Sequence, residues 1–411
     1  MANPEGIGMH ASDIRLDSTF GLILVAVLAL LAVIAVPWFW DSWKWRRTGR
    51  SVTTVTAVLL VVLSMALGGN MIGGFFPTLG ALIGTSNPAG EGTNGEGGLN
   101  GGGLEQMKDY NRDRGAKGLG STFHLTVLGE RTGLTRDVNL YIPPQYYDPA
   151  YEGFTFPVIE WIPNYPSGPE VAGSGYKLFE QLDAAIGKKL LPPSVVIIPD
   201  PTGVPKVGHD TECVDEVNGA ANDTYLTADI RAWALKTLKV NPDRKSWAIA
   251  GWSSGGYCAL NLVTRHPQWF GIAASVSGYD AAWIDAETTD IFKGRKDIAD
   301  ANNVSINLAK HPSPVDLLAI AGDKEGNEVA SIQRMNKAAL SPTTFTSWII
   351  PDAGHNMNTF KSQLPDVLTW IGSKSATPRF AGARKVTVSG EVKPWPLPQT
   401  GAKGALVATD Q

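Results

Sequence analysis

The sequence predicts an α/β domain, a mostly parallel sheet covered by helices on both faces, preceded by two transmembrane helices. Three observations lead there. Short apolar runs alternate with amphipathic helical segments over roughly residues 120–372, two long uncharged apolar segments lie near the N-terminus, and a serine flanked by glycines sits at a strand–helix junction. Regular strand–helix alternation needs crossover helices, and these cover both faces of a parallel sheet.

The elements follow in chain order. TFHLTVLG and RDVNLYIP alternate as a half-buried hairpin would, and FPVIEWIP is a third strand. Next come helix SGYKLFEQLDAAIG, strand SVVIIPD, helix TYLTADIRAWALKTL, strand SWAIAG and helix SSGGYCALNLVTRHP. Strands GIAASVSG and VDLLAIAGD, helix EVASIQRMNKAAL, strand TFTSWIIPD and helix TFKSQLPDVLTWI complete the domain. In such sheets the reactive groups collect in loops at the carboxyl ends of the strands.

The chain has 411 residues, enough for one large domain and extra segments. Residues 20–40 (FGLILVAVLALLAVIAVPWFW) carry no charge, and a second uncharged stretch begins at Ser51. Each is long enough to cross a hydrocarbon layer of roughly 30 Å, and neither has a polar face suited to a soluble core helix. No basic region precedes the first, and a second follows, so a cleaved signal peptide is disfavoured. Between them DSWKWRRTGR carries Lys44, Arg46, Arg47 and Arg50 against Asp41, with Trp38, Trp40, Trp43 and Trp45 at the interface. The positive-inside bias places this loop in the cytoplasm and both termini outside.

The expected organisation is an external arm at 1–19, a two-helix anchor at 20–76 and a Gly-rich linker at 77–118. A catalytic domain at 119–375 and a flexible tail at 376–411 follow. The segment NPAGEGTNGEGGLNGGGLEQ has no hydrophobic period to bury and reads as a spacer. A net charge of −4 gives a nucleic-acid partner no support, and two cysteines, neither in a CxxC, are too few for a zinc framework. The apolar segments hold no intramembrane charge, which disfavours a transporter. His209, Asp210, Glu212 and Asp215 form an acidic cluster without strict ligand spacing, so neither a metal nor a cofactor is expected.

Gly251-Trp252-Ser253-Ser254-Gly255 follows a strand and opens a helix, the context in which G-x-S-x-G marks a nucleophile elbow. Ser253 is the expected nucleophile, since the frame shifted to Ser254 would begin with Trp252. A serine hydroxyl needs a base, and the base needs an acid to orient it. His10, His124 and His209 precede the serine, His266 ends the elbow helix, and His311 precedes a strand. His355, between the last strand and the last helix, is the expected base. The acid should end the preceding strand, where Asp323 is preferred and Glu325 is the alternative. For the oxyanion, backbone N–H groups are needed where negative charge develops. Ser254 supplies one. In the loop after the third strand Pro163 and Pro166 have no N–H, which leaves Asn164 or Tyr165, with Tyr165 preferred.

The Tyr165-Pro166 loop, the Asp210-Thr211-Glu212-Cys213 stretch, the elbow through Gly256 and Gly354-His355-Asn356 together resemble an esterase family of actinobacteria. That family is related to esterase D and to the antigen 85 mycolyltransferases. The resemblance covers roughly residues 120–372 and implies an α/β-hydrolase fold with Ser253, Asp323 and His355 as its triad. One departure is Asn164, where relatives usually have glycine before the oxyanion residue; asparagine tolerates the left-handed conformation better than most residues. Cys213 and Cys258 both fall near the active-site face, and an external domain favours a disulfide between them. The expected function is a membrane-anchored, extracytoplasmic serine esterase or acyltransferase in the plasma membrane, acting on simple esters or acylated glycans and lipids. The alternative is an inactive relative that binds or scaffolds the envelope.

Overall fold

The structure is a computed structural model that describes residues 14–16, 18–43, 45–73, 79, 82, 108–203, 209–380 and 407–408. The chain divides into two compact units, residues 1–87 with 356–358, and residues 88–355 with 359–411.

The first unit holds helices α1 (Thr19–Trp38) and α2 (Arg46–Gly73). The Ser18 side chain caps α1 by accepting from the Gly21 N–H at 3.2 Å. Both helices are long and apolar enough to cross a membrane, and Leu24, Leu28, Leu31, Val55, Leu59 and Val62 point outward from them. At about 1.5 Å per residue, the 20 residues of α1 span about 30 Å. The basic segment is less of a loop than the sequence suggests, because arginine is a good helix former and α2 starts at Arg46. Arg50 reaches back to Asp41 at 2.6 Å and lies 4.7 Å from the centre of the Trp40 ring.

The second unit is built on β1 (Ser121–Leu128), β2 (Thr135–Ile142), β3 (Val158–Ile162), β4 (Val195–Pro199) and β5 (Trp247–Trp252). It continues with β6 (Ile272–Val276), β7 (Asp316–Gly322) and β8 (Thr344–Ile350). The sheet order is β1-β2-β4-β3-β5-β6-β7-β8, with a two-residue edge at Val407–Ala408. β1 and β2 pair antiparallel, as do β2 and β4, and every pair from β4–β3 through β7–β8 is parallel. This is the predicted α/β-hydrolase architecture. Every residue of β3, β4, β5 and β6 is buried, as expected for strands with helices on both faces.

The longer helices of the chain continue with α3 (Lys108–Ala116), α4 (Leu178–Gly187), α5 (Ile230–Thr237), α6 (Ser254–Arg265), α7 (Lys296–Ala301), α8 (Val304–Lys310), α9 (Gly326–Ala338) and α10 (Met357–Lys374). Two expected boundaries change. The last part of the expected linker is α3, whose Arg114 donates to the Gly120 carbonyl at 2.8 Å, while residues 83–107 lie outside the described residues. In the expected tail, Arg379–Phe380 pairs antiparallel with Phe154–Thr155, and residues 381–406 lie outside the described residues.

One core position conflicts with its surroundings. Glu160, in the middle of β3, is fully buried and flanked in register by Ile197 and Ile249. Neither carboxyl oxygen has a hydrogen-bond partner among the described residues. Burial raises its pKa well above the usual carboxylate range, which favours the neutral form in the fold.

Candidate active site

Ser253 sits where β5 becomes α6. Its φ of 57° and ψ of −124° are unusual for a residue with a side chain, and such strain persists only where the surroundings hold it. Here the Ser253 N–H donates to the Val276 carbonyl at 2.9 Å, and its own carbonyl accepts from Gly256 and Tyr257. The flanking glycines are required by close approach. A Cβ on Gly251 would overlap the Gly255 carbonyl, and one on Gly255 would overlap the Ile162 carbonyl of β3. The elbow therefore presses α6 against the sheet and leaves the hydroxyl at the carboxyl end of β5.

His355, between β8 and α10, brings its Nε2 to 2.9 Å from Ser253 Oγ. Its ring stacks on Trp252 at 5.6 Å between centroids. Of the other described histidines, His266 pairs with the buried Asp223 at the far end of α6, His124 with Asn139, and His209 with Glu216. Among the described histidines, only His355 meets Ser253.

The acid facing His355 is Glu325, not Asp323. Glu325 Oε2 lies 3.1 Å from His355 Nδ1, and its Oε1 accepts from the Ser277 hydroxyl and the Gly322 N–H, each at 2.9 Å. β7 ends at Gly322, and the Asp323 N–H is tied back to the Ile350 carbonyl, which leaves the Asp323 side chain exposed. Two residues later the chain enters α9 with Glu325 as its N-cap, and that carboxylate turns inward to 4% exposure. Sequence reasoning places the acid two residues too early, because it takes the acid from the very end of the strand and starts the helix at Glu328 rather than Gly326. It missed a second carboxylate altogether: Glu328 Oε1 lies 3.5 Å from the same Nδ1. The signal that would have found it is the Glu-x-x-Glu spacing, which brings both side chains to one helix end.

These groups shift one another. Burial lowers the His355 pKa, but hydrogen bonding and attraction from Glu325 and Glu328 outweigh it and bring the value to about 9. Since 39% of the side chain is open to solvent, screening moderates that pull. Burial raises Glu328, yet its bonds to His355 and to backbone N–H leave it below its ordinary value. Glu325, Glu328 and His355 bring potential ligand atoms within 4.8 Å of one another. Both His355 nitrogens and both Glu325 oxygens already have hydrogen-bond partners, an arrangement suited to moving a proton rather than holding a cation.

The loop after β3 meets the start of α6. The Tyr165 N–H donates to Ser254 Oγ at 2.7 Å, and the Tyr165 hydroxyl donates to Glu287 at 2.6 Å. The Ser254 N–H opens α6, where the first amides of a helix have no intrahelical acceptor and the dipole favours negative charge. Asn164 does not need the left-handed conformation: it is absent from the positive-φ residues, is buried, and its side chain accepts from the Tyr176 hydroxyl and donates to the Tyr165 carbonyl.

Cys213 and Cys258 form a disulfide that ties the loop after β4 to α6. Beside it Glu212 is buried, accepting from the Tyr279 hydroxyl and the Trp283 N–H. Asp210 accepts from the Glu212 N–H, and Asp215 accepts from Thr224. The acidic cluster thus divides into separate loop-bracing contacts.

Residues 129–371 match a family described as "Putative esterase". An uncharacterised protein of Corynebacterium glutamicum is 27% identical over 252 residues, covering 58% of this chain and 57% of that one, so the chain spans little more than half the length of this relative. An S-formylglutathione hydrolase from Agrobacterium tumefaciens superposes with a TM-score of 0.52 at 13% identity, covering 62% of this chain and 96% of that one. A fluorophosphonate-binding serine hydrolase of Staphylococcus aureus, solved with substrate bound, gives 0.50 at 14% identity over 62% of this chain and 98% of that one. At these identities the structural likenesses concern the fold.

Proposed function

Because the chain belongs to the esterase family, we propose that it is a membrane-anchored serine esterase or acyltransferase whose catalytic domain faces outward and works through an acyl-Ser253 intermediate. The observation that carries this reading is the unbroken line from Ser253 Oγ through His355 to Glu325. Ser253 Oγ attacks the ester carbonyl carbon as its proton passes to His355 Nε2, and the carbonyl electron pair moves onto oxygen. Collapse of that intermediate breaks the bond to the leaving alcohol, which takes the proton from Nε2. Water or a second alcohol then repeats the sequence in reverse and frees the serine. Glu325 holds the imidazole with Nδ1 protonated and offsets the charge of the imidazolium, in the manner of other triads.

The Tyr165 and Ser254 N–H groups are the proposed oxyanion donors. For Tyr165 to serve, the Ser254 hydroxyl that it now contacts must rotate away. That contact favours a second reading, an inactive relative that binds envelope esters without turning them over. For orientation, α1 and α2 cross the plasma membrane with the basic residues Arg46, Arg47 and Arg50 on the cytoplasmic side. Substrates are esters of simple alcohols or of acylated glycans and lipids.

A fluorophosphonate applied to the full-length chain in detergent tests the reading. Labelling at one equivalent that disappears in Ser253→Ala supports an activated serine. A folded chain that takes no label favours the binding protein.

A further inference from the structure

The triad needs one carboxylate on its histidine, and this protein supplies two. Glu325 and Glu328 occupy the N-cap and third position of α9, so both side chains reach the same helix end, where the dipole favours anions. Glu325 is bound on its other oxygen by Ser277 and Gly322, which fixes it to β6 and β7. Glu328 is 6% exposed and 3.5 Å from His355 Nδ1. Two carboxylates this close would repel if nothing cationic lay between them.

We infer that Glu328 is a second positioning residue for His355: its carboxylate stands beside Glu325 at Nδ1 and shares the imidazolium that forms when Ser253 gives up its proton. This rests on the acyl-serine reading above. His355 is met by Glu325 and Glu328 from α9, and by Trp252 and Ser253 from the elbow. The nearby charges Lys324 and Asp352 pair with each other at 3.4 Å.

Two consequences follow. The free enzyme holds His355 protonated to unusually high pH, so reaction at Ser253 rises through the alkaline range towards a midpoint near the value of about 9. Loss of Glu325 also leaves Nδ1 with a partner, so Glu325 and Glu328 back each other up.

The experiment measures fluorophosphonate labelling rates of the full-length chain against pH, for the native sequence, Glu328→Gln, Glu328→Asp, Glu325→Gln and the double Glu325→Gln/Glu328→Gln. Removing one nearby opposite charge moves a pKa by about one unit or more. Glu328→Gln is therefore expected to move the midpoint down by about one unit, with Glu328→Asp between it and the native chain. In the Glu325→Gln background, Glu328→Gln is expected to slow labelling about tenfold more than it does in the native chain, as coupled residues do. An unmoved midpoint, or the same factor in both backgrounds, overturns the inference. A native chain with no Ser253-dependent labelling overturns the acyl-serine reading instead, so the two failures are distinguishable.

Discussion

Replacing Glu160 by methionine should stabilise the protein, and increasingly so as pH rises. The side chain is fully buried in β3 between Ile197 and Ile249, with no partner on either oxygen among the described residues. Leaving a buried polar group unsatisfied costs about 1–3 kcal/mol. Methionine nearly matches glutamate in length and shape, so it removes that cost without opening a cavity. The pH dependence adds to it. In the unfolded chain the carboxyl ionises above about pH 4.3, whereas in the fold its pKa is raised well above the ordinary value.

Between those two values the unfolded state has released a proton that the native state keeps. Native stability then falls by about 1.4 kcal/mol per pH unit, a slope that the methionine variant lacks. The gain from Glu160→Met should be about 1–3 kcal/mol below the unfolded pKa and should widen as pH climbs towards the folded one. Guanidinium unfolding of the full-length chain in a non-ionic detergent, followed by tryptophan fluorescence at several pH values, measures it. A variant less stable than the native chain, or a difference flat with pH, would show that the carboxyl is ionised and paired, and the reasoning would fail.

The remaining predictions concern the site and the compartment. Asp323→Asn should leave labelling and ester hydrolysis within about threefold, whereas Glu325→Gln should cost about tenfold or more, since positioned proton transfer contributes 10²–10⁴; equal losses would return the acid's role to Asp323. Reporters fused within residues 41–50 and after 375 should behave as cytoplasmic and external respectively, and the reverse pattern would overturn the orientation. The chain should show no alkylatable thiol before reduction. With Cys213 and Cys258 separated by 45 residues, serine at both should cost about 4 kcal/mol of stability by the loop-entropy model, read from the unfolding midpoint.

Much of the protein was legible in its one-dimensional pattern. Strand–helix alternation determined a parallel sheet, because that rhythm has few packed solutions. Ser253 could be read because an elbow constrains its neighbours: Gly251 and Gly255 must lack a Cβ for α6 to lie against β3. His355 could be read by elimination and by its place after the last long strand. Length and the absence of charge marked both candidate spans, and the pairing of Cys213 with Cys258 required only that they be the two cysteines on one face.

What the tertiary structure decided was direction and burial. Asp323 and Glu325 are two residues apart at the end of one strand, with the same chemistry and an equal claim by order along the chain. The distinction arises because Asp323 is held by Ile350 in a turn towards solvent, while Glu325, just before α9, turns its side chain inward to accept from Ser277 and Gly322. Ile350 lies 27 residues from Asp323, and Ser277 lies 48 residues from Glu325. No local period encodes such contacts. Nor does sequence order say that Glu328 turns to the same nitrogen, or that the buried Glu160 carboxyl finds no hydrogen-bond partner among the described residues, since both follow from how distant segments close around them.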